Sequence, residues 1–217
     1  MENLAKYDGY ISGSFACNVV YNTTYNCSDI DIYFSDENNA NNFGDTLIKY
    51  EYLLQSVSNY TLYSVLGTHI DKIITYAVLN PKKKSKKIQL IIINKNIHII
   101  NYIMGFFDIN HCKNVIDGNY NFYSYNNDTK YNKKSEISQH ILNVFELFKF
   151  NINTYKNINP ENEKMKSYYK YFICNVNEYI RKVSNRITKY TTRGIIFTNI
   201  EIFNKLIVDI NSICPQN

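Results

Sequence analysis

The segment Asp29-Ile30-Asp31-Ile32-Tyr33-Phe34 constrains the fold of this chain more than any other part of its sequence. Successive side chains of a β-strand point to opposite faces, so Asp29 and Asp31 project together from one face while the intervening isoleucines enter a core. Two adjacent carboxylates repel each other unless a cation lies between them. Alone, such a segment is typical of a solvated sheet face, but together with the Gly-Ser turn upstream it predicts a strand that carries a metal site. An oxygen-only ligand set favours Mg²⁺ or Mn²⁺ over zinc.

A Gly-Ser turn lies upstream of this strand. Gly13 and Ser14 open an apolar stretch that predicts a short helix. Backbone N–H groups at a helix N-terminus, together with a hydroxyl, form a favourable environment for phosphate. We therefore expect a phosphate site beside the metal site.

Composition excludes several classes of protein. Of the 217 residues, 45% are hydrophobic and only 7 are Gly and 3 Pro, so collagen-like and wholly disordered chains are excluded. The net charge of +5 allows a phosphate-bearing partner without requiring one. The sequence has no apolar run of membrane-spanning length, no apolar leader at its start, and five cysteines without a C-x-x-C pair. These features predict free thiols, no membrane partner and a cytoplasmic, intracellular location.

The chain divides into a mixed half and a helical half. The periodicity predicts strands at 72–79, 87–94, 106–116 and 120–125 and helices at 38–56, 97–104 and 161–190. The expected fold class is α+β, in which residues 1–130 form a domain with a mixed β-sheet flanked by helices. Residues 131–217 are expected to form a mainly helical C-terminal region packed on that domain.

These motifs resemble those of the polymerase-beta-like nucleotidyltransferase superfamily. The residues that carry the resemblance are Gly13-Ser14 followed by Asp29-Ile30-Asp31-Ile32, and it extends over about residues 8–125. Within that superfamily the chain resembles poly(A)-polymerase-like members, and most closely uncharacterised nucleotidyltransferase-like proteins of large DNA viruses. Those proteins share stretches similar to FD-x-x-x-C-K-N and K-Y-x-x-R-G, which begin here at Phe107 and Lys189. The resemblance implies a nucleotidyltransferase-type sheet in the first half of the chain.

The resemblance also implies roles for individual residues. Its members need a third acid on a neighbouring strand, and the two positions available are Gln89 and Asp108; we choose Asp108. Asp29, Asp31 and Asp108 are then the expected catalytic residues and ligands of Mg²⁺ (or Mn²⁺). Gly13 and Ser14 are the expected phosphate-binding residues of the nucleotide site.

The sequence also contains two clusters of basic residues. The run Lys82, Lys83, Lys84, Lys86 and Lys87 is interpreted as a solvated hairpin loop, and phosphate contact or a nuclear-import signal are the alternatives. Arg186, Lys189 and Arg193 fall at i, i+3 and i+7 of a predicted helix and would share one face. That face is either a solvated basic surface or a site that binds the triphosphate or an RNA backbone.

The function predicted from these features is that of an enzyme, a metal-dependent nucleotidyltransferase. It would transfer NMP from an NTP, with ATP expected, to an acceptor hydroxyl, with an RNA 3′ end favoured. Two alternatives stay open: a catalytically inactive nucleotidyltransferase fold that acts as a binding or regulatory protein, and an adenylyltransferase that acts on a protein or a small molecule. The oligomeric state is left open.

Overall fold

The structure of the chain is a computed structural model that describes residues 1–26, 29–59, 69–78, 86–125, 133–157 and 163–214. It forms two compact units, Met1–Lys130 and Tyr131–Asn217. The first unit contains four α-helices, a 3-10 turn and seven strands within its described residues. The helices are α1 (Glu2–Lys6), α2 (Gly13–Val20), α3 (Glu37–Lys49) and α4 (Ile99–Phe106). The strands are β1 (Tyr10–Ser12), β2 (Asp29–Phe34), β3 (Tyr52–Asn59), β4 (Ile70–Val78), β5 (Lys87–Ile93), β6 (Asn114–Ile116) and β7 (Phe122–Ser124).

The seven strands form one sheet in the order β3-β4-β5-β2-β1-β6-β7. β2 and β5 pair in parallel, and the other neighbouring strands pair antiparallel. One apolar cluster packs Ile32, Phe34 and Leu90 of the sheet under α3, and the other packs Tyr33 and Ile91 under α4. Helices therefore flank both faces of a mixed sheet, which confirms the predicted α+β fold class.

The helix predicted over 38–56 is shorter than expected. α3 begins after Asp36, whose carboxylate accepts a hydrogen bond from the Asn39 backbone N–H at 2.9 Å, and ends at Lys49. Glu51 then adopts a positive φ of 68°, and β3 follows as the edge strand of the sheet. Leu54 is 55% exposed on that strand, so the leucine spacing that suggested a helix does not mark a buried helical face.

The prediction of a strand over 106–116 is largely wrong. α4 continues to Phe106, a bend follows at Asp108, and a 3-10 turn occupies Asn110–Cys112, so only Asn114–Ile116 is a strand. The Asn114 side chain donates a hydrogen bond to the His111 carbonyl oxygen at 2.7 Å, which fixes the turn. This local hydrogen bonding competes with the sheet pattern that the apolar residues suggested.

The second unit contains three helices and a short parallel strand pair within its described residues. The helices are α5 (Gln139–Asn157), α6 (Glu163–Thr191) and α7 (Ile200–Ile213), and the strands are β8 (Lys134–Ser135) and β9 (Ile196–Phe197). Phe145 of α5 packs against Phe203 of α7 with ring centroids 5.3 Å apart. The Asn199 side chain donates to the Ile137 carbonyl and accepts from its N–H, both at 2.9 Å. The C-terminal part of the chain is thus mainly helical.

No helix among the described residues is long and apolar enough to cross a membrane. The four described cysteines, Cys17, Cys112, Cys174 and Cys214, form no disulfide with one another. Cys27, residue 79 of the predicted strand and the lysines at 82–84 lie outside the described residues.

Candidate functional site

The sheet register places Asp31 in a row of polar side chains. Its neighbours are Ser12 on β1 and Gln89 on β5, and Thr75 on β4 lies opposite Gln89. Paired residues on adjacent strands point to the same face, and their Cα atoms lie about 5 Å apart. The residues that alternate with Asp31 belong to the apolar cluster on the opposite face. The candidate site therefore lies on the same face of the sheet as α4. It occupies the end of that face where the side chains are polar.

The carboxylate of Asp31 closely approaches Gly13, the first residue of α2. Its φ is +74°, and a Cβ at this position would lie 2.8 Å from Asp31 Oδ2. A side chain here would meet both an unfavourable backbone conformation and a carboxylate oxygen. Gly13 thus allows the carboxylate of β2 to reach the start of a helix, where the helix dipole favours negative charge.

The two serines at this turn are both buried. Ser12 is fully buried and its hydroxyl donates to the Asn114 carbonyl oxygen at 2.7 Å, which fastens the end of β1 to β6. Ser14, in the first turn of α2, is 8% exposed. Ser12 therefore has a structural role that the sequence did not reveal, whereas the phosphate-binding role of Ser14 stays a prediction.

The structure brings Asp29 and Asp31 onto one face of β2, half-exposed, as predicted. The neighbouring strand β5 presents Lys87 opposite Asp29 and Gln89 opposite Asp31. Lys87 is exposed and Gln89 is half-exposed. Lys87 begins the strand that the periodicity predicted over 87–94, and what the sequence did not reveal is that this strand lies beside the carboxylates. The signal for this placement was the Lys87-x-Gln89 spacing, which has the same two-residue period as Asp29-x-Asp31.

Asp108, the predicted third acid, lies in the bend after α4 and is 6% exposed. Its charge acts on Lys113, which is 4% exposed and whose ammonium lies 4.5 Å from the centroid of the Tyr125 ring. Burial lowers the pKa of Lys113 to about 8, and the nearby Asp108 carboxylate opposes that shift. Asp108 is thus part of a buried charged cluster with Lys113, on a bend rather than on the strand that the prediction required.

The carboxylate pair fits one divalent cation. Mg²⁺ is commonly bound through one or two protein carboxylates together with substrate phosphates. Asp29 and Asp31 supply that ligand set beside the helix start at Gly13. Among the described residues, no group of three or more His, Cys, Asp or Glu side chains is placed to hold a metal ion. The structure therefore does not gather Asp108 with the pair.

The basic residues of the second unit lie at the end of α6. Arg186 and Lys189 are exposed on the helix, whereas Arg193 follows the helix in a turn. Gly194, at φ +83°, donates to the Thr191 carbonyl oxygen, and Ile195 donates to that of Tyr190, which is the pattern of a Schellman cap.

Two of these cations lie against one aromatic ring. The Arg193 guanidinium is 5.0 Å and the Lys189 ammonium 5.9 Å from the centroid of the buried Tyr190 ring. The pKa of Lys182, one turn before Arg186, is lowered by burial and then by the charge of Arg186. Cations at a helix C-terminus also complement the helix dipole. This placement is compatible with either interpretation of the basic face.

No protein family and no curated protein sequence matches this chain. Solved structures that it resembles include a CCA-adding enzyme in apo form I, with a TM-score of 0.44 and 10% identity over 69% of this chain and 36% of the other. A tRNA-processing enzyme in apo form I has a TM-score of 0.44 and 12% identity over 67% and 39% of the two chains. A CCA-adding enzyme in complex with ATP has a TM-score of 0.42 and 10% identity over 68% and 36%. This chain thus spans little more than a third of each, and at such TM-scores the likeness carries no weight for activity.

Proposed function

We propose that this chain is a nucleotidyltransferase that binds a nucleoside triphosphate with Mg²⁺ or Mn²⁺ and transfers NMP to an acceptor hydroxyl, releasing pyrophosphate. The observation that supports this most is the contact between Gly13 and the Asp31 carboxylate. At that contact, a helix start suited to phosphate meets a carboxylate pair suited to a divalent cation. ATP is the expected donor, and an RNA 3′ end is the favoured acceptor.

Each residue of the site has a role in this proposal. Asp29 and Asp31 hold the cation, and a cation bound there supplies positive charge to the triphosphate. The backbone N–H groups that follow Gly13 and the Ser14 hydroxyl orient the phosphates, which fixes the donor relative to the acceptor. The hydrogen bond from Ser12 to the Asn114 carbonyl, at 2.7 Å, keeps the turn in place. The role of Asp108 as a third ligand stays a prediction, since the described residues show no group of three carboxylates that could hold a metal ion.

The second candidate function is a binding or regulatory protein with the same nucleotide site. The observation that favours it is the register of Gln89 with Asp31, which places a neutral amide on the neighbouring strand. A neutral amide at this position adds no negative ligand for a second metal ion beside Asp29 and Asp31. The two candidates share nucleotide binding and differ in whether label moves from the triphosphate to an acceptor.

The experiment incubates the full chain with each α-³²P-labelled NTP, Mg²⁺ or Mn²⁺, and one acceptor at a time: an RNA pool, a protein pool or small-molecule alcohols. Label in an acceptor that disappears with Asp31→Asn supports transfer and identifies the acceptor class. Binding of the NTP by calorimetry without label transfer supports the binding protein instead. The proposal is overturned when the wild-type chain binds no NTP in the presence of either cation.

A further inference from the structure

The neighbouring strand offers hydrogen-bond donors where a third carboxylate would be expected. Lys87 lies opposite Asp29 and Gln89 opposite Asp31 in a parallel pairing without a bulge at these positions. The residues that alternate with Gln89, Ile88 and Leu90, belong to the apolar cluster on the other face. Lys87 and Gln89 therefore project from the face that carries the carboxylates.

These two side chains suit a nucleotide better than a second metal ion. A lysine ammonium carries three donors and a full positive charge, and the glutamine amide adds two donors and a neutral oxygen. Ammonium groups bind phosphate oxygens through charge-assisted hydrogen bonds. Neither side chain adds the negative charge that a second divalent cation requires.

The charge balance of the site leads to the same conclusion. Asp29 and Asp31 together carry two negative charges, and Lys87 on the adjacent strand offsets one of them. Before a nucleotide binds, one divalent cation is enough to neutralise what remains. Once the triphosphate adds its own negative charge, Lys87 can supply to the phosphates the positive charge that a second cation would otherwise supply. The row continues on the far side of Gln89 with Thr75, which is neutral and 9% exposed.

We propose that Lys87 and Gln89 are nucleotide-binding residues and that the site takes a single divalent cation with its triphosphate. Lys87 contacts the phosphates and replaces the charge that a second cation would supply, while the Gln89 amide contacts the bound nucleotide beside Asp31. This inference rests on the proposed nucleotide site and adds to it the metal stoichiometry and the role of β5.

The test counts Mn²⁺ bound to the full chain by electron paramagnetic resonance, with and without the non-transferable analogue α,β-methylene-ATP, and measures analogue affinity by calorimetry. We expect one Mn²⁺ per wild-type chain with the analogue bound. Lys87→Met should weaken analogue binding about tenfold, the loss of one charge-assisted contact, and should tighten Mn²⁺ binding without the analogue. Gln89→Glu should tighten Mn²⁺ binding about tenfold or add a second ion.

Lys95→Met is the matched control, because Lys95 is an exposed lysine just beyond the opposite end of β5. It should change neither affinity. Lys87→Arg, which keeps the positive charge, should bind the analogue about as tightly as the wild type does, unlike Lys87→Met. Thermal unfolding of each variant checks that the fold is retained. Two Mn²⁺ per wild-type chain, or a Lys87→Met variant that behaves like Lys95→Met, would overturn this inference and leave the proposed nucleotide site standing. A wild-type chain that binds no analogue would overturn both.

Discussion

The two compact units hold their charged side chains in different ways. In the first unit, Asp108 and Lys113 are buried, and the carboxylate of Asp31 lies against Gly13. In the second unit, Arg186 and Lys189 are exposed along one helix. Buried charges interact strongly and respond to protonation and to small changes in their neighbours, whereas exposed charges are screened by salt. We therefore expect the first unit to be sensitive to substitution and pH, and the basic face of the second to ionic strength.

The difference has a structural origin. In the sheet, β1, β2 and β5 bring together residues from separate segments of the chain and fix their spacing through backbone pairing. On α6, the cations come from consecutive turns of one helix, and the exposed ones, Arg186 and Lys189, are screened by solvent. A substitution in the row of polar side chains around Asp31 should therefore affect the neighbouring residues of that row. A substitution on the exposed face of the helix should act locally.

The largest effect is expected for Asp31→Asn. The change keeps the size of the side chain and its contact with Gly13 but removes the charge that binds the cation. We expect a loss of about 100-fold in NTP affinity with Mg²⁺, because hydrogen bonds and ion contacts of a charged group contribute about 1.5–3 kcal/mol each. Calorimetry measures the affinity, and the melting temperature without metal should stay the same or rise, since the change relieves repulsion with Asp29.

Asp71→Asn is the control for this prediction. Asp71 is an exposed aspartate near the start of β4, and the variant loses the same charge. Its NTP affinity should equal that of the wild type. An equal loss in both variants would mean that net charge, and not the register of the sheet, determines binding.

Gly13→Ala should have the next largest effect. The added Cβ would lie 2.8 Å from Asp31 Oδ2 at a φ of +74°. We expect the free energy of unfolding to fall by about 1–3 kcal/mol, measured by urea denaturation, with weaker NTP binding. Gly105→Ala is the matched control, because nothing lies within 4 Å of a Cβ at that helical position. It should leave stability equal or raise it by up to about 1 kcal/mol; equal losses in the two variants would contradict the contact.

The carboxylate pair could be predicted from the sequence because its signal is local. Alternation along Asp29-Ile30-Asp31-Ile32 determines the face of each side chain before any partner strand is known. The turn at Gly13 was predictable for the same reason, since a Gly-Ser pair before an apolar stretch marks a helix start. The periodicity over residues 161–190 predicted one long helix or two consecutive helices, and the structure has one, α6.

The partners of that pair could not be predicted in the same way. The identity of the strand next to β2 depends on the order of the sheet, and β2 pairs with β5 across more than 50 residues of sequence. Asp108 was chosen because the resemblance implies an apolar strand, then a helix, then a strand with the pattern of Phe107-Asp108-Ile109, but the local hydrogen bonds of the Asn110–Cys112 turn prevent a strand there. Sequence periodicity gives the direction of a side chain, and only the register gives its neighbour.

Lys113 should make the stability of the first unit depend on pH. Its folded pKa of about 8 lies below the ordinary value of 10.5 because burial disfavours the charge. Between these two pH values the unfolded chain holds a proton that the folded chain has released, so stability rises with pH. We expect a gain of about 1–2 kcal/mol from pH 7.5 to 9.5, which Lys113→Met should abolish while raising stability at pH 7.5. Chemical denaturation at each pH measures this, and the same slope in Lys113→Met would exclude Lys113 as its source.

The smallest effect is expected on the basic face of the second unit. Arg186→Glu with Lys189→Glu reverses two exposed charges, and the fold should be unchanged because both side chains are exposed on α6. If the face follows an RNA backbone, affinity should fall similarly for all RNA sequences, and the log-log slope of affinity against salt should flatten by about one unit per lost contact.

The same double variant separates the other interpretations of that face. A face that binds the triphosphate would lose NTP affinity for every acceptor alike, because the donor is common to all of them. Filter binding of RNA and calorimetry of NTP distinguish the two outcomes. Unchanged RNA binding together with unchanged NTP binding would leave the cations as a solvated face at the end of α6, where they complement the helix dipole. In that case every ligand-binding residue of the proposal would belong to the first unit, whose charged side chains are positioned by the sheet.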